Sequence, residues 1–152
     1  MRKLFLVIAL LSACHREKPA PQAPPVDPEA MRLPLADRLA REAGARPTGT
    51  PRAEEVLAAL ARGGLAVEGE QQVLASTVGA AYCTSAGTPK GAAIAVCEYP
   101  AEEAARQGME YSHRVFDRLI PGRRLLVNRK TLLTVTGAGD EARRAAEIFA
   151  AL

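Results

Sequence analysis

The sequence predicts an α+β domain: a small antiparallel sheet with helices packed mainly on one face. Three observations predict it. Apolar residues recur at helical spacing in four separate stretches, short strand-like runs punctuated by Gly, Ser, Thr and Pro fill residues 65–99, and a tight strand pair follows further on. The order is helix, helix, three or four strands, helix, two strands, helix, which favours antiparallel pairing. At 152 residues, with 48% hydrophobic and 24% charged side chains, the chain has the size and composition of one ordinary domain. Three Tyr, three Phe and no Trp leave the core to Ala, Leu, Val and Ile, which bury less area per residue.

The first helix is read from Leu35, Ala36, Leu39, Ala40 and Ala43 on one side, with Gly44 as its stop. In the second, Thr50 is a capping residue, Pro51 suits the first helical position and Glu54 and Glu55 favour the positive end; Val56, Leu57 and Leu60 form the stripe before Gly63-Gly64. Strands are expected at 65–67, 73–77, 78–84 and 92–99. Pro100 opens a longer helix presenting Ala101, Ala105, Gly108, Met109, Ser112, Phe116 and Leu119 to a core, ended by Pro121-Gly122. Residues 125–128 and 131–136 make a hairpin around Arg129-Lys130. The last helix offers Ala142, Ala145, Ile148, Phe149 and Leu152 to the core.

Ahead of the domain, Arg2 and Lys3 precede an apolar run at 4–11 that ends in Ser12, Ala13 and Cys14. Eight apolar residues rise only about 12 Å as a helix, against about 30 Å of bilayer core, so the run reads as an export signal and not a span. Leu11-Ser12-Ala13-Cys14 resembles the lipobox of bacterial lipoproteins, small residues directly before a cysteine. The resemblance covers the signal alone. It implies diacylglycerol transfer to the Cys14 thiol, cleavage before it and, in many bacteria, acylation of the new amine. With about 0.8 kcal/mol per buried methylene, two or three acyl chains anchor stably where one does not. The residue after the cysteine is His15, not the aspartate that typically retains such proteins in the inner membrane, so an outer-membrane location is expected in a Gram-negative host.

The chain is thus expected to divide into a signal at 1–14, a proline-rich linker at 15–34 holding six of the eleven prolines, and a single domain at 35–152. Extended polyproline II over twenty residues reaches about 60 Å. Once Arg2 and Lys3 leave with the signal, 18 Lys plus Arg face 17 Asp plus Glu, and the formal charge falls from +3 to +1. That balance, in an exported protein, excludes nucleic acid as a partner.

With Cys14 assigned to lipid, Cys83 and Cys97 form an even pair in an oxidising compartment, and a disulfide is expected. Their midpoint is Lys90; an odd-numbered hairpin loop sets the two cysteines opposite each other and an even one displaces them by a residue. Closing a loop of about 15 residues stabilises by about 3 kcal/mol in the chain-entropy model. Redox catalysis uses Cys-x-x-Cys at a helix start, and structural zinc uses close pairs; neither pattern is present, so no cofactor and no metal are expected.

Gly137-Ala138-Gly139-Asp140-Glu141-Ala142 superficially fits a dinucleotide fingerprint, but Asp140 and Glu141 put negative charge where a pyrophosphate would sit, so the glycines read as a turn with Asp140 near the cap. His113 and Asp117 are four residues apart on one helical face. Ser112 points about 100° away from them, and a solvated ion pair is the expected reading. Arg118, Arg123, Arg124, Arg129 and Lys130 cluster in sequence; with Asp117, Glu141 and Glu147 among them they read first as a mixed solvated face, and alternatively as the candidate contacts for an anionic partner, an acidic glycan, a lipid headgroup or an acidic envelope protein. The expected role is that of a lipid-anchored, non-catalytic binding or accessory module. The alternatives are a small envelope hydrolase using His113 with Asp117, or a domain that binds a small ligand between sheet and helices.

Overall fold

The computed structural model describes Ala23, Pro25 and residues 27–137 and 139–152; Cys14, the signal and half of the linker lie outside the described residues. The architecture is α+β. Strands β1 (Glu68–Val73), β2 (Tyr82–Gly87), β3 (Ala93–Glu98), β4 (Arg124–Asn128) and β5 (Thr131–Thr136) form one antiparallel sheet in the order β1-β2-β3-β5-β4. The helices are α1 (Leu35–Gly44), α2 (Ala53–Arg62), α3 (Glu102–Phe116) and α4 (Asp140–Ala150), with 3-10 turns at Ala30–Arg32 and Ala75–Val78. No helix among the described residues is long and apolar enough to cross a membrane.

The central strands are apolar on both faces, and that fixes the layers. On one face Ile94, Val96, Leu133 and Val135 pack against Val56, Leu57 and Leu60 of α2 and Ala142, Ala145 and Phe149 of α4. On the other, Cys83, Cys97, Tyr99 and Leu132 pack with Ala75 and with Ala105 of α3. The expectation of helices mainly on one face therefore describes α2 and α4, while α3 closes the opposite side. Small residues let α3 approach closely: a Cβ placed on Gly108 would stand 2.2 Å from the Tyr99 hydroxyl oxygen. Burial raises the Tyr99 pKa, and its hydroxyl donates to the Val78 carbonyl at 3.2 Å.

Five local expectations are corrected. The strand expected at 78–84 begins only at Tyr82 and runs on to Gly87, because Val78 closes the 3-10 turn and Gly79 turns the chain in the left-handed region. Residues 65–67 are not a strand: Gly64 at φ 84 lets Leu65 N–H donate to Leu60 O and Gly64 N–H to Ala61 O, a Schellman ending of α2 that buries Leu65. Residues 73–77 mostly form the Ala75–Val78 turn, and the strand before it, β1, is polar and exposed along Glu68 to Gln71. It is an edge strand with an irregular register between Glu68 and Gln71, a form that discourages further pairing. Helix α2 begins at Ala53 with Arg52 as N-cap, not at Thr50 and Pro51. Lastly, α3 ends at Phe116, and Ala101 and Leu119, expected in the core, are exposed.

The hairpins follow their expected centres. Register pairs Gly87 with Ala93, and Thr88 N–H donates to Ala92 O, so the loop is odd-numbered and centred on Lys90. Cys83 and Cys97 then face each other directly with Cα atoms 4.2 Å apart, and they are disulfide-bonded. At the β4–β5 turn Arg129 adopts φ 52. The end of the proline-rich segment is not wholly separate from the domain, since Asp27 pairs with Arg41 of α1 at 3.2 Å.

Candidate functional site

Three polar constellations carry the chemistry of the described surface. The most buried is centred on Glu98, the last residue of β3, whose side chain is 5% exposed on the face that carries α2. Arg46, in the loop between α1 and α2, donates from Nε to Glu98 Oε2 at 2.8 Å and from Nη2 to Oε1 at 2.5 Å. The same guanidinium bonds both oxygens of Glu54 at 2.6 Å, and it lies 4.2 Å above the ring of Tyr82, the cross-strand neighbour of Glu98. Glu98 also accepts from Ala53 N–H at 2.7 Å, so a carboxylate from the sheet caps the N-terminus of α2. Hydrogen bonds to Glu98 and then Glu54 raise the Arg46 pKa, and the Arg46 hydrogen bond holds Glu54 below its ordinary value. Both oxygens of this buried acid have a donor, and the group works as a structural clamp between loop, helix and sheet.

The second constellation is His113 with Asp117. His113 Nδ1 lies 2.9 Å from Asp117 Oδ2, with the two side chains 46% and 51% exposed. Ser112 is buried one position earlier, while the pair itself stands about half exposed to solvent. Asp117 is held below the usual carboxylate range by the hydrogen bonds from His113 and Arg123. The geometry is that of a surface ion pair and offers no nucleophile.

The third is the run of basic residues, which the fold divides. Arg118 and Arg124 are exposed at one end of β4; Arg129 and Lys130 stand at the other, about 14 Å away at strand rise. Arg123 differs from the rest. Its side chain is 5% exposed and turns inward, donating from Nη2 to Ser112 O and Asp117 Oδ1, both at 2.8 Å, over Phe116. It serves the C-terminal end of α3, where a cation is favoured, and is withdrawn from any external anion. Its Nε is buried without a hydrogen-bond partner. Arg129 Nη1 donates to the Thr50 hydroxyl at 3.2 Å.

Two surface clefts adjoin α4. One of about 250 Å³ is lined by Lys90, Gly91, Ala92, Gly137, Asp140 and Glu141; one of about 530 Å³ is lined by Gly63, Asp140, Arg143, Arg144, Glu147 and Ile148. At the first, where the glycine-rich turn meets α4, Glu141 accepts a hydrogen bond from the Thr88 hydroxyl at 2.7 Å and Gly137 packs closely on Ala92. Helix α4 starts at Asp140 with Gly139 as its N-cap, so acid residues occupy the end that an anion would need. Among the described residues no three His, Cys, Asp or Glu side chains converge to hold a metal ion.

No protein-family model matches the chain, and no curated protein or solved structure does either. Function must therefore be argued from its own residues. The sequence singled out His113, Asp117 and the basic run but missed the Arg46 and Glu98 clamp. Its signal was present in part: Glu98 ends an otherwise apolar strand, and a buried carboxylate needs a partner. The partner lies 52 positions away, beyond any local pattern.

Proposed function

We propose that this chain is a lipid-anchored protein of the bacterial cell envelope whose α+β domain acts by binding and not by chemistry. The observation that carries the reading is Leu11-Ser12-Ala13-Cys14 directly after a short apolar run with Arg2 and Lys3 before it. Acyl chains on Cys14 hold the protein to a membrane, the outer one where the host is Gram-negative, and the proline-rich segment sets the reach of the domain. The Cys83–Cys97 disulfide supports an oxidising compartment such as the envelope. The exposure of His113 and Asp117, and the structural use of the better-built Arg46–Glu98 group, favour a binding role over hydrolysis.

Expression in a bacterial host with a palmitate analogue tests the anchor. The wild-type chain should incorporate label and fractionate with membranes; Cys14→Ser should lose both. Label-free wild-type protein recovered in the soluble fraction would sink the proposal.

A further inference from the structure

The segment from Arg114 to Arg124 is a part of the domain whose surface chemistry the clamp, the disulfide and the core leave unexplained. Beyond Phe116 the chain keeps a helical course for another turn, with Asp117 N–H donating to His113 O at 3.2 Å and Ile120 N–H to Phe116 O at 2.8 Å. That spacing stacks residues four apart. Arg114 and Arg118 form one ridge, Val115 and Leu119 the next, and Phe116 and Ile120 the third. Leu119 is 73% exposed, Ile120 40% and Val115 37%. Among the described residues this apolar tip, beside arginines, is left partly to largely uncovered.

The charge beside it is mainly basic, with Glu110 one turn before Arg114 on the same ridge. Arg114, Arg118 and Arg124 are exposed and, among the described residues, none is ion-paired, whereas the nearby Asp117 is engaged by Arg123 and His113. Arg123, bound to Ser112 O and Asp117, holds the turn against the end of α3, so the tip is presented on a braced support. Apolar side chains that can enter the acyl boundary, next to guanidinium groups that meet phosphates, are the pairing that interfacial membrane contacts use. A second copy of this chain would bring like charges together at the same place.

We propose that the 114–124 segment docks the domain on the anionic phospholipid surface of the membrane that holds its own anchor. The inference rests on the lipid-anchored reading. The strands are six residues or fewer, about 20 Å long. With Asp27 held on α1, the twelve residues 15–26 would span up to about 37 Å in polyproline II, so the anchor leaves either end of the sheet free to reach the bilayer. Docking would hold the domain in one orientation, with the tip of α3 down and the β4–β5 turn, at the other end of β4, away from the lipid.

The test uses the full mature chain carrying Leu119→Cys, labelled with an environment-sensitive fluorophore and reconstituted on phosphatidylcholine vesicles with or without phosphatidylglycerol. A matched chain labelled through Arg129→Cys reports the far end. Docking predicts blue-shifted emission and loss of quenching by aqueous iodide at position 119 on the anionic vesicles only, with no change at position 129. Adding Arg114→Glu and Arg118→Glu should abolish the shift while the melting temperature is kept. Equal emission at position 119 on anionic and neutral vesicles overturns the proposal, and so does a shift that follows protein density and not lipid charge, which would indicate contact between copies. The mass of the purified chain reports acylation separately. A chain without acyl groups refutes the anchor alone, and the same emission readout on labelled chain added to preformed vesicles still decides the docking.

Discussion

Glu98 shows how one residue can join three elements. Its carboxylate caps α2, binds Arg46 in a two-point contact and stands opposite Tyr82, whose ring carries the same guanidinium. Glu98→Gln should destabilise the domain by about 3 kcal/mol, measured by urea unfolding, because it leaves Arg46 partly unpaired in a buried site. Glu54→Gln should cost less than about 1 kcal/mol, since Glu54 is 54% exposed. Glu54 has its pKa lowered from an ordinary 4.5, chiefly by the Arg46 hydrogen bond. A carboxylate with a lowered folded-state pKa contributes stability above its unfolded value and loses it as pH falls through the folded one. The melting temperature should therefore drop as pH falls from about 5, and Glu54→Gln should flatten that slope. A profile as steep in the variant as in wild type would remove Glu54 from this account. Of this group the sequence displayed an acid in an apolar strand, and nothing more, because Arg46 meets it only through the packing of a loop on a sheet.

At the scale of elements, β2 and β3 were readable because cysteines, turn residues and apolar content agree. The loop parity was not, since an odd or an even loop fits the same residues; the pairing of Thr88 with Ala92 decides it. Replacing Cys83 and Cys97 together by Ser should lower stability by about 3 kcal/mol in non-reducing urea titrations, and reductant should then no longer change the variant's midpoint. Helix α3 packs through small residues, and Gly108→Ala should cost about 2 kcal/mol because the added methyl meets the buried ring of Tyr99. An unchanged melting temperature in that variant would show that Tyr99 has room to move. Strand β1 escaped detection for a physical reason: an exposed edge strand needs no apolar alternation, so Glu68, Gly69, Glu70 and Gln71 read as loop.

For the whole molecule, two kinds of information sit in separate parts of the chain. The proposed address lies in the N-terminal residues up to Cys14, a linear pattern that needs no fold. The proposed binding role belongs to the domain, whose surface is assembled from residues that are apart in sequence or that only local geometry exposes. Cys14→Ser should release the protein from membranes without changing the melting temperature of the domain, a pair of readouts that separates address from fold.

By itself the sequence determined the fold class, the centres of both hairpins and the pairing of Cys83 with Cys97, because each rests on local periodicity or turn chemistry; the anchor proposed at Cys14 rests on a linear motif alone. Only the tertiary structure decided that α3 lies on the face opposite α2 and α4, that Arg123 turns inward while Arg118 and Arg124 stay out, and that Glu98 meets Arg46. Those outcomes depend on which surfaces meet when the sheet is covered on both sides, and burial of that kind is a property of the assembled layers and not of any one segment.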